Sequence, residues 1–262
     1  MRKNKMSVRA KELETAIKAA REAGKILLAY YGKVTPRYKK DRSIVTDADL
    51  ASEKLIKDIL KKEFPGYSFL AEESGLEDNH SEYEWVIDPL DGTTNYSIKN
   101  PFYNVSIALA KNDSPVLGVV YYPFQDELFY ATEDGGAYLN GEKIQVSTTG
   151  SMRDAFICFC HGHDQKTVKK ATDAYAKIKP LTDRLRQIGA SELELSYLGC
   201  GRVDAFYMLA QNPWDVASGT LIVREARGRV TDIDGKPFNL KSMDAVASNG
   251  LVHKELLELL KQ

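Results

Sequence analysis

The densest run of chemically capable residues is Asp88-Pro89-Leu90-Asp91-Gly92-Thr93-Thr94-Asn95, where an apolar strand pattern ends in two carboxylates three residues apart. Pro89 turns the chain between them, so both acids can be aimed at one point. Hard cations such as Mg²⁺ take carboxylate and carbonyl oxygens, keep several waters and complete their shell with substrate phosphate. Gly92, Thr93 and Thr94 add N–H groups and hydroxyls at an expected helix start, where free donors and the helix dipole favour an anion. Glu72 and Glu73 follow another apolar strand, and Asp215 follows Trp214 at a second expected helix start. Singly, each has a plainer reading as a solvated acid or a helix cap. Their joint occurrence favours a site.

The elements that must position these acids follow from periodicity. Leu13, Ile17, Ala20, Leu27 and Tyr31 recur at helical spacing until Gly32. A second helix starts after Thr46-Asp47-Ala48-Asp49 and ends at Phe64-Pro65-Gly66; either Asp47 or Asp49 could cap it while the other faces the site. Strands follow through YSFLAEES, EWVIDPLDG, YNVSIALA, VLGVVYYP and ELFYA, with an Asn140-Gly141 hairpin. Beyond Gly150 strands and helices alternate: DAFICFC, a helix from Gln165 to Ile178, RLRQIG, SELELSYLG, VDAFYML, and a helix over WDVASGTLIVREARG. The fold class is α/β, with an α+β half over 1–148 and an α/β half over 149–262, tightly packed enough to count as one domain.

Of the 262 residues, 36 are basic and 37 acidic, a net charge of −1, so no global positive field draws nucleic acid or a membrane. No apolar run reaches signal-peptide or membrane-span length, which makes a cytoplasmic location the expectation. Three cysteines are an odd, sparse set and read as thiols. Cys158, Cys160, His161 and His163 invite a zinc reading. Period two instead puts both cysteines on one strand face as core residues, leaving the histidines to border a pocket.

Glu72-Glu73-Ser74-Gly75, Asp88 to Asn95 and the run from Pro213 to Gly228, in this order and separation, closely resemble the motifs of inositol monophosphatases. The resemblance covers nearly the whole chain, including Ile44 to Asp49 and Gly201-Arg202-Val203-Asp204. It implies a layered αβαβα sandwich, a homodimer and two to three Mg²⁺ ions. Glu72, Asp88 and the Leu90 carbonyl would hold one ion, and Asp88, Asp91 and Asp215 a second; a third would share Glu72. Thr93, assisted by Asp49, would orient the attacking water. The backbone at Gly92 and Thr93, beside Asp91, would bind phosphate, and Lys39 or Lys40 would approach the site from a mobile loop.

The implied substrate is a small phosphorylated polyol or sugar. Gly189-Ala190-Ser191 matches a pocket-lining segment of the family, but the glutamate that contacts inositol in many members is replaced by Met208. Some members hydrolyse both inositol 1-phosphate and fructose 1,6-bisphosphate, and Arg184 or Arg186 could hold a second phosphate. A nucleotide 3′-phosphatase and a catalytically silent phosphate-binding regulator are the competing readings.

Overall fold

The computed structural model describes residues 2–40 and 43–261. Helix α1 (Arg2–Tyr30) leads to a short hairpin, β1 (Arg37–Tyr38) and β2 (Ile44–Val45), and then to α2 (Asp47–Glu63). Next come β3 (Ser68–Ala71), β4 (Gly75–Glu77), β5 (Tyr83–Asp91) and a one-turn helix, α3 (Thr93–Ser97). A meander follows: β6 (Asn104–Lys111), β7 (Ser114–Tyr122), β8 (Glu127–Thr132), β9 (Gly136–Leu139) and β10 (Glu142–Ile144). The second half holds β11 (Ile157–His161), α4 (Gln165–Ile178), β12 (Leu185–Arg186), α5 (Ser191–Gly199) and β13 (Ala205–Leu209). A 3-10 turn (Pro213–Asp215), α6 (Ala217–Glu225), β14 (Arg229–Thr231), β15 (Asp244–Ser248) and α7 (His253–Lys261) complete it.

The strands form an eight-stranded sheet, β10-β9-β8-β7-β6-β5-β3-β4, and a five-stranded sheet, β12-β11-β13-β15-β14. All neighbours in the larger sheet are antiparallel except β3 and β5, whereas β12, β11 and β13 run parallel. Helices α1 and α2 cover one face of the larger sheet, α5 and α6 fill the space between the sheets, and α4 and α7 cover the outer face of the smaller one. The result is a mixed α/β layered sandwich in the order αβαβα. Strand β5 is covered on both faces, which is why Trp85-Val86-Ile87 reads as an unbroken apolar run rather than an alternating one.

Some local expectations change. The run from Trp214 to Gly228 is not one helix: Val216 (φ −144°) breaks it, leaving Asp215 in a separate 3-10 turn before α6. RLRQIG gives only a two-residue edge strand, and β14, β15 and α7 follow where no element was read. Neither Asp47 nor Asp49 is the cap of α2. Thr46 caps it and Asp49 completes the capping box, while Asp47 lies exposed against Arg37 at 2.8 Å.

Candidate active site

The acids converge because β5 is irregular where it needs to be. Its pairing with β6 shifts from Asp88↔Ser106 to Asp91↔Asn104, a bulge with one extra residue on β5. Pro89, which has no N–H to lose, lies in that bulge. The Leu90 N–H turns back to Asp88 Oδ1 at 3.0 Å, and the Ser52 hydroxyl holds the Pro89 carbonyl at 2.8 Å. Gly92 then takes φ 87°, and a Cβ there would lie 2.7 Å from the Phe102 carbonyl oxygen. Only glycine fits this junction between β5 and α3.

Thr93 opens α3 with its hydroxyl 3.0 Å from the Leu90 carbonyl and 3.1 Å from Asp49 Oδ1. Asp49 is fully buried, and its other oxygen accepts from the Thr46 N–H at 2.8 Å and hydroxyl at 2.5 Å. Burial raises its carboxyl to about 6 against these hydrogen bonds. On the opposite side, Lys39 reaches Glu72 at 2.9 Å and Glu73 at 2.6 Å, whereas Lys40 is exposed. Burial opposes the Lys39 charge, but the two glutamates hold its pKa above the ordinary value.

Asp91 faces the second half of the chain. It accepts from Asn104 Nδ2 at 2.7 Å and from the first N–H groups of α5, Ser191 at 3.1 Å and Glu192 at 2.8 Å. Asp215 accepts from the Asn212 N–H at 2.7 Å and side-chain amide at 3.1 Å. Burial pushes both carboxyls up, Asp215 to about 7. Asp88 is driven well above its ordinary range by burial and then by the charges of Glu72, Asp91 and Asp215. Glu72 is raised mainly by burial, although Lys39 offsets part of this.

Among the described residues, no three His, Cys, Asp or Glu side chains are already arranged to hold an ion. Each carboxylate is turned toward a protein donor instead. The donor set nonetheless suits a hard divalent cation: four carboxylates and a carbonyl, all oxygen, with Asp88 destabilised as an anion by its three acidic neighbours. A cation among them would relieve that repulsion.

Glu72, Asp88, Leu90, Asp91, Gly92, Thr93 and Asp215 line one cleft of about 400 Å³, together with Gly189 and Ser191. Ala190 lies fully buried behind its wall. Asn95 fixes that wall from α3, its amide donating to the Ile188 carbonyl at 2.8 Å and approaching that of Gly189 at 3.3 Å. Cys160, His161, His163, Gln187 and Met208 also line the cleft. Among the described residues no zinc set forms: Cys158 and Cys160 are buried, and Cys160 lies 2.9 Å from Glu194.

Arg184 and Arg186 do not line this cleft. Arg184 donates to the Asp154 carbonyl at 2.6 Å and borders a larger, open hollow beside α7 that holds none of the site's acids. Arg186 stacks on Phe156 and donates to the Asp183 carbonyl at 3.0 Å.

Sequence reasoning missed two fully buried glutamates of α5, Glu192 and Glu194, both raised to about 8 chiefly by burial. Their signal was present: two acids in a short helix that is buried on nearly every side.

A model of the inositol monophosphatase family matches residues 9–262. An inositol-1-monophosphatase of Synechocystis is 40% identical, over 95% of this chain and 88% of that one. A fructose-1,6-bisphosphatase/inositol-1-monophosphatase of Thermotoga maritima is 36% identical, over 95% of this chain and 96% of its own. The crystal structure of extragenic suppressor protein suhB from Bartonella henselae superposes with a TM-score of 0.91 at 33% identity, over 96% of this chain and 99% of that one. The chain belongs to the inositol monophosphatase family.

Proposed function

We propose that the chain is a Mg²⁺-dependent phosphatase that hydrolyses a phosphate monoester of a small polyol or sugar, with inositol 1-phosphate and fructose 1,6-bisphosphate as the substrates to test. The observation that carries this is the meeting of Glu72, Asp88, Asp91 and Asp215 in one cleft with the Thr93–Asp49 pair. Glu72, Asp88, Asp91, Asp215 and the Leu90 carbonyl would hold two to three Mg²⁺ ions. When bound, the metal supplies charge to offset the phosphate and to lower the pKa of the attacking water.

The protein's own contribution is position. The Thr93 hydroxyl, its proton drawn toward Asp49, presents its lone pairs to a water in the cleft and orients that water for in-line attack. The N–H groups of Gly92 and Thr93 bind phosphate oxygens. The wall of Gly189, Ser191, Gln187, His161, His163 and Met208 receives the leaving alcohol. A homodimer and a cytoplasmic location belong to the same proposal; among the described residues no helix is long and apolar enough to cross a membrane.

The test is phosphate release from both substrates, with Mg²⁺ and with EDTA, for wild type and Asp91→Asn. Release that needs Mg²⁺ and is lost in the variant supports the proposal, and the substrate turned over assigns specificity. No release from either substrate with any divalent metal would overturn it and favour a nucleotide phosphatase or a phosphate-binding regulator.

A further inference from the structure

Glu192 is fully buried on α5, and nothing in the catalytic scheme uses it. Its surroundings are specific. One carboxylate oxygen accepts from the Ser106 hydroxyl at 2.9 Å and the Ser218 N–H at 3.0 Å; the other accepts from the Gly219 N–H at 2.5 Å. Its own N–H donates to Asp91 Oδ2 at 2.8 Å.

Those partners are Asp91 itself and residues on the elements next to the other two central acids. Ser106 is the strand partner of Asp88 across β5 and β6. Ser218 and Gly219 form the first turn of α6, immediately after the 3-10 turn that holds Asp215. Asp91 is bonded directly. The Ser106 hydroxyl also approaches the Ser218 hydroxyl at 2.8 Å, so the β6 and α6 contacts are linked to each other as well. Glycine at 219 lets the two helices meet: a Cβ there would run into Leu195 Cβ and lie 2.6 Å from Glu192 Oε2.

Filling a core does not require such a group: a buried charged residue replaced by an apolar one of similar volume often leaves a fold equally stable. What an apolar residue cannot do is fix the directions of a hydroxyl and two N–H groups at once. Groups that orient metal ligands from behind set cation affinity without touching the cation.

We propose that Glu192 is a positioning residue that holds the segments bearing Asp88, Asp91 and Asp215 at one spacing and thereby sets the affinity of this acidic cluster for divalent cations. The proposal rests on the metal-dependent reading of the site. Glu194, two residues on, supplies the control. It is equally buried, but it accepts from Cys160 at 2.9 Å and the Ile188 N–H at 2.7 Å, both on the substrate wall.

The experiment is titration of the folded full chain with Mn²⁺, without substrate, following free Mn²⁺ by electron paramagnetic resonance. Glu192→Gln is expected to weaken binding about 10-fold or more, with Glu194→Gln staying within about twofold of wild type. Unchanged affinity in a folded Glu192→Gln protein, or equal weakening in both variants, overturns the proposal. If Glu192→Gln does not fold, Ser106→Ala decides: weaker Mn²⁺ binding supports the proposal and unchanged binding overturns it. Wild-type protein that binds no Mn²⁺ ends the metal reading and this proposal together. Intact Mn²⁺ binding without phosphate release would sink the substrate assignment alone.

Discussion

The Thr93 hydroxyl lies 3.1 Å from Asp49 Oδ1, although 44 residues separate the two in the chain. Helix α2 brings them together by spending the first residues of its capping box on the site: Thr46 ties down one oxygen of Asp49 and leaves the other for Thr93. A local stabilising motif therefore doubles as the anchor of a reacting group.

Asp49→Asn replaces one acceptor oxygen with an N–H₂ that cannot accept from either threonine. The remaining oxygen stays on the Thr46 N–H and the amide nitrogen meets Thr93, so kcat should fall by about 10²-fold or more while KM changes little and unfolding free energy shifts by less than about 1 kcal/mol. Steady-state kinetics beside thermal unfolding checks both. A large KM change with normal kcat would show that the pair binds substrate rather than orienting water.

Gly92→Ala puts a Cβ against the Phe102 carbonyl at a backbone angle that side chains avoid. The expected loss is about 1–3 kcal/mol in unfolding free energy, with reduced activity because Thr93 moves with the turn. Denaturant unfolding measures the first and phosphate release the second.

Much of this was legible in the sequence. Helix α4 runs from Gln165 to Ile178 as read, Asn140-Gly141 joins β9 to β10, and the β5 acids sit at the end of an apolar strand. These signals are local, set by period, caps and turn residues. What stayed hidden depends on residues far apart in the chain. Lys39 rather than Lys40 meets Glu72 because the β1–β2 hairpin turns it inward. Arg184 and Arg186 face loops that no local pattern foretells. Glu192 reads as an anomaly in α5 until β6 and α6 are packed around it.

Lys39 pairs with Glu72 at 2.9 Å and would compete with a divalent ion for that carboxylate. Lys39→Met should therefore destabilise the metal-free protein by about 1–2 kcal/mol, since Glu72 and Glu73 lose their partner. It should also lower the Mg²⁺ concentration needed for half-maximal activity. Unfolding in EDTA and a Mg²⁺ titration test the two halves separately.

Burial raises Asp215 from its ordinary 3.8 to about 7 and Glu194 from 4.5 to about 8. Between those limits the folded chain keeps protons that the unfolded chain releases. Their stabilising contribution is therefore complete below the unfolded values and is lost as pH rises through 7 and 8. In EDTA, Tm should fall between about pH 5 and pH 8. Glu194→Gln should flatten part of the fall, and Mg²⁺ should restore stability at the upper end by binding the folded state. A Tm that rises over this interval in EDTA would contradict the assignment.

Met208 sits on β13 beside Cys160 of β11, and both line the cleft wall. A thioether is a weak acceptor and no donor, so a hydroxylated leaving group gains little there. A carboxylate at this position would accept hydrogen bonds from the hydroxyls of a polyol. Met208→Glu should therefore lower KM for inositol 1-phosphate by about tenfold, as expected for one hydrogen bond to a charged group, with kcat changed less. The same added charge should raise KM for fructose 1,6-bisphosphate, whose second phosphate it would repel. Measuring both substrates on both proteins separates recognition of hydroxyls from a general change in the cleft: parallel shifts would mean that the wall was merely disturbed, and opposite shifts that position 208 selects the leaving group.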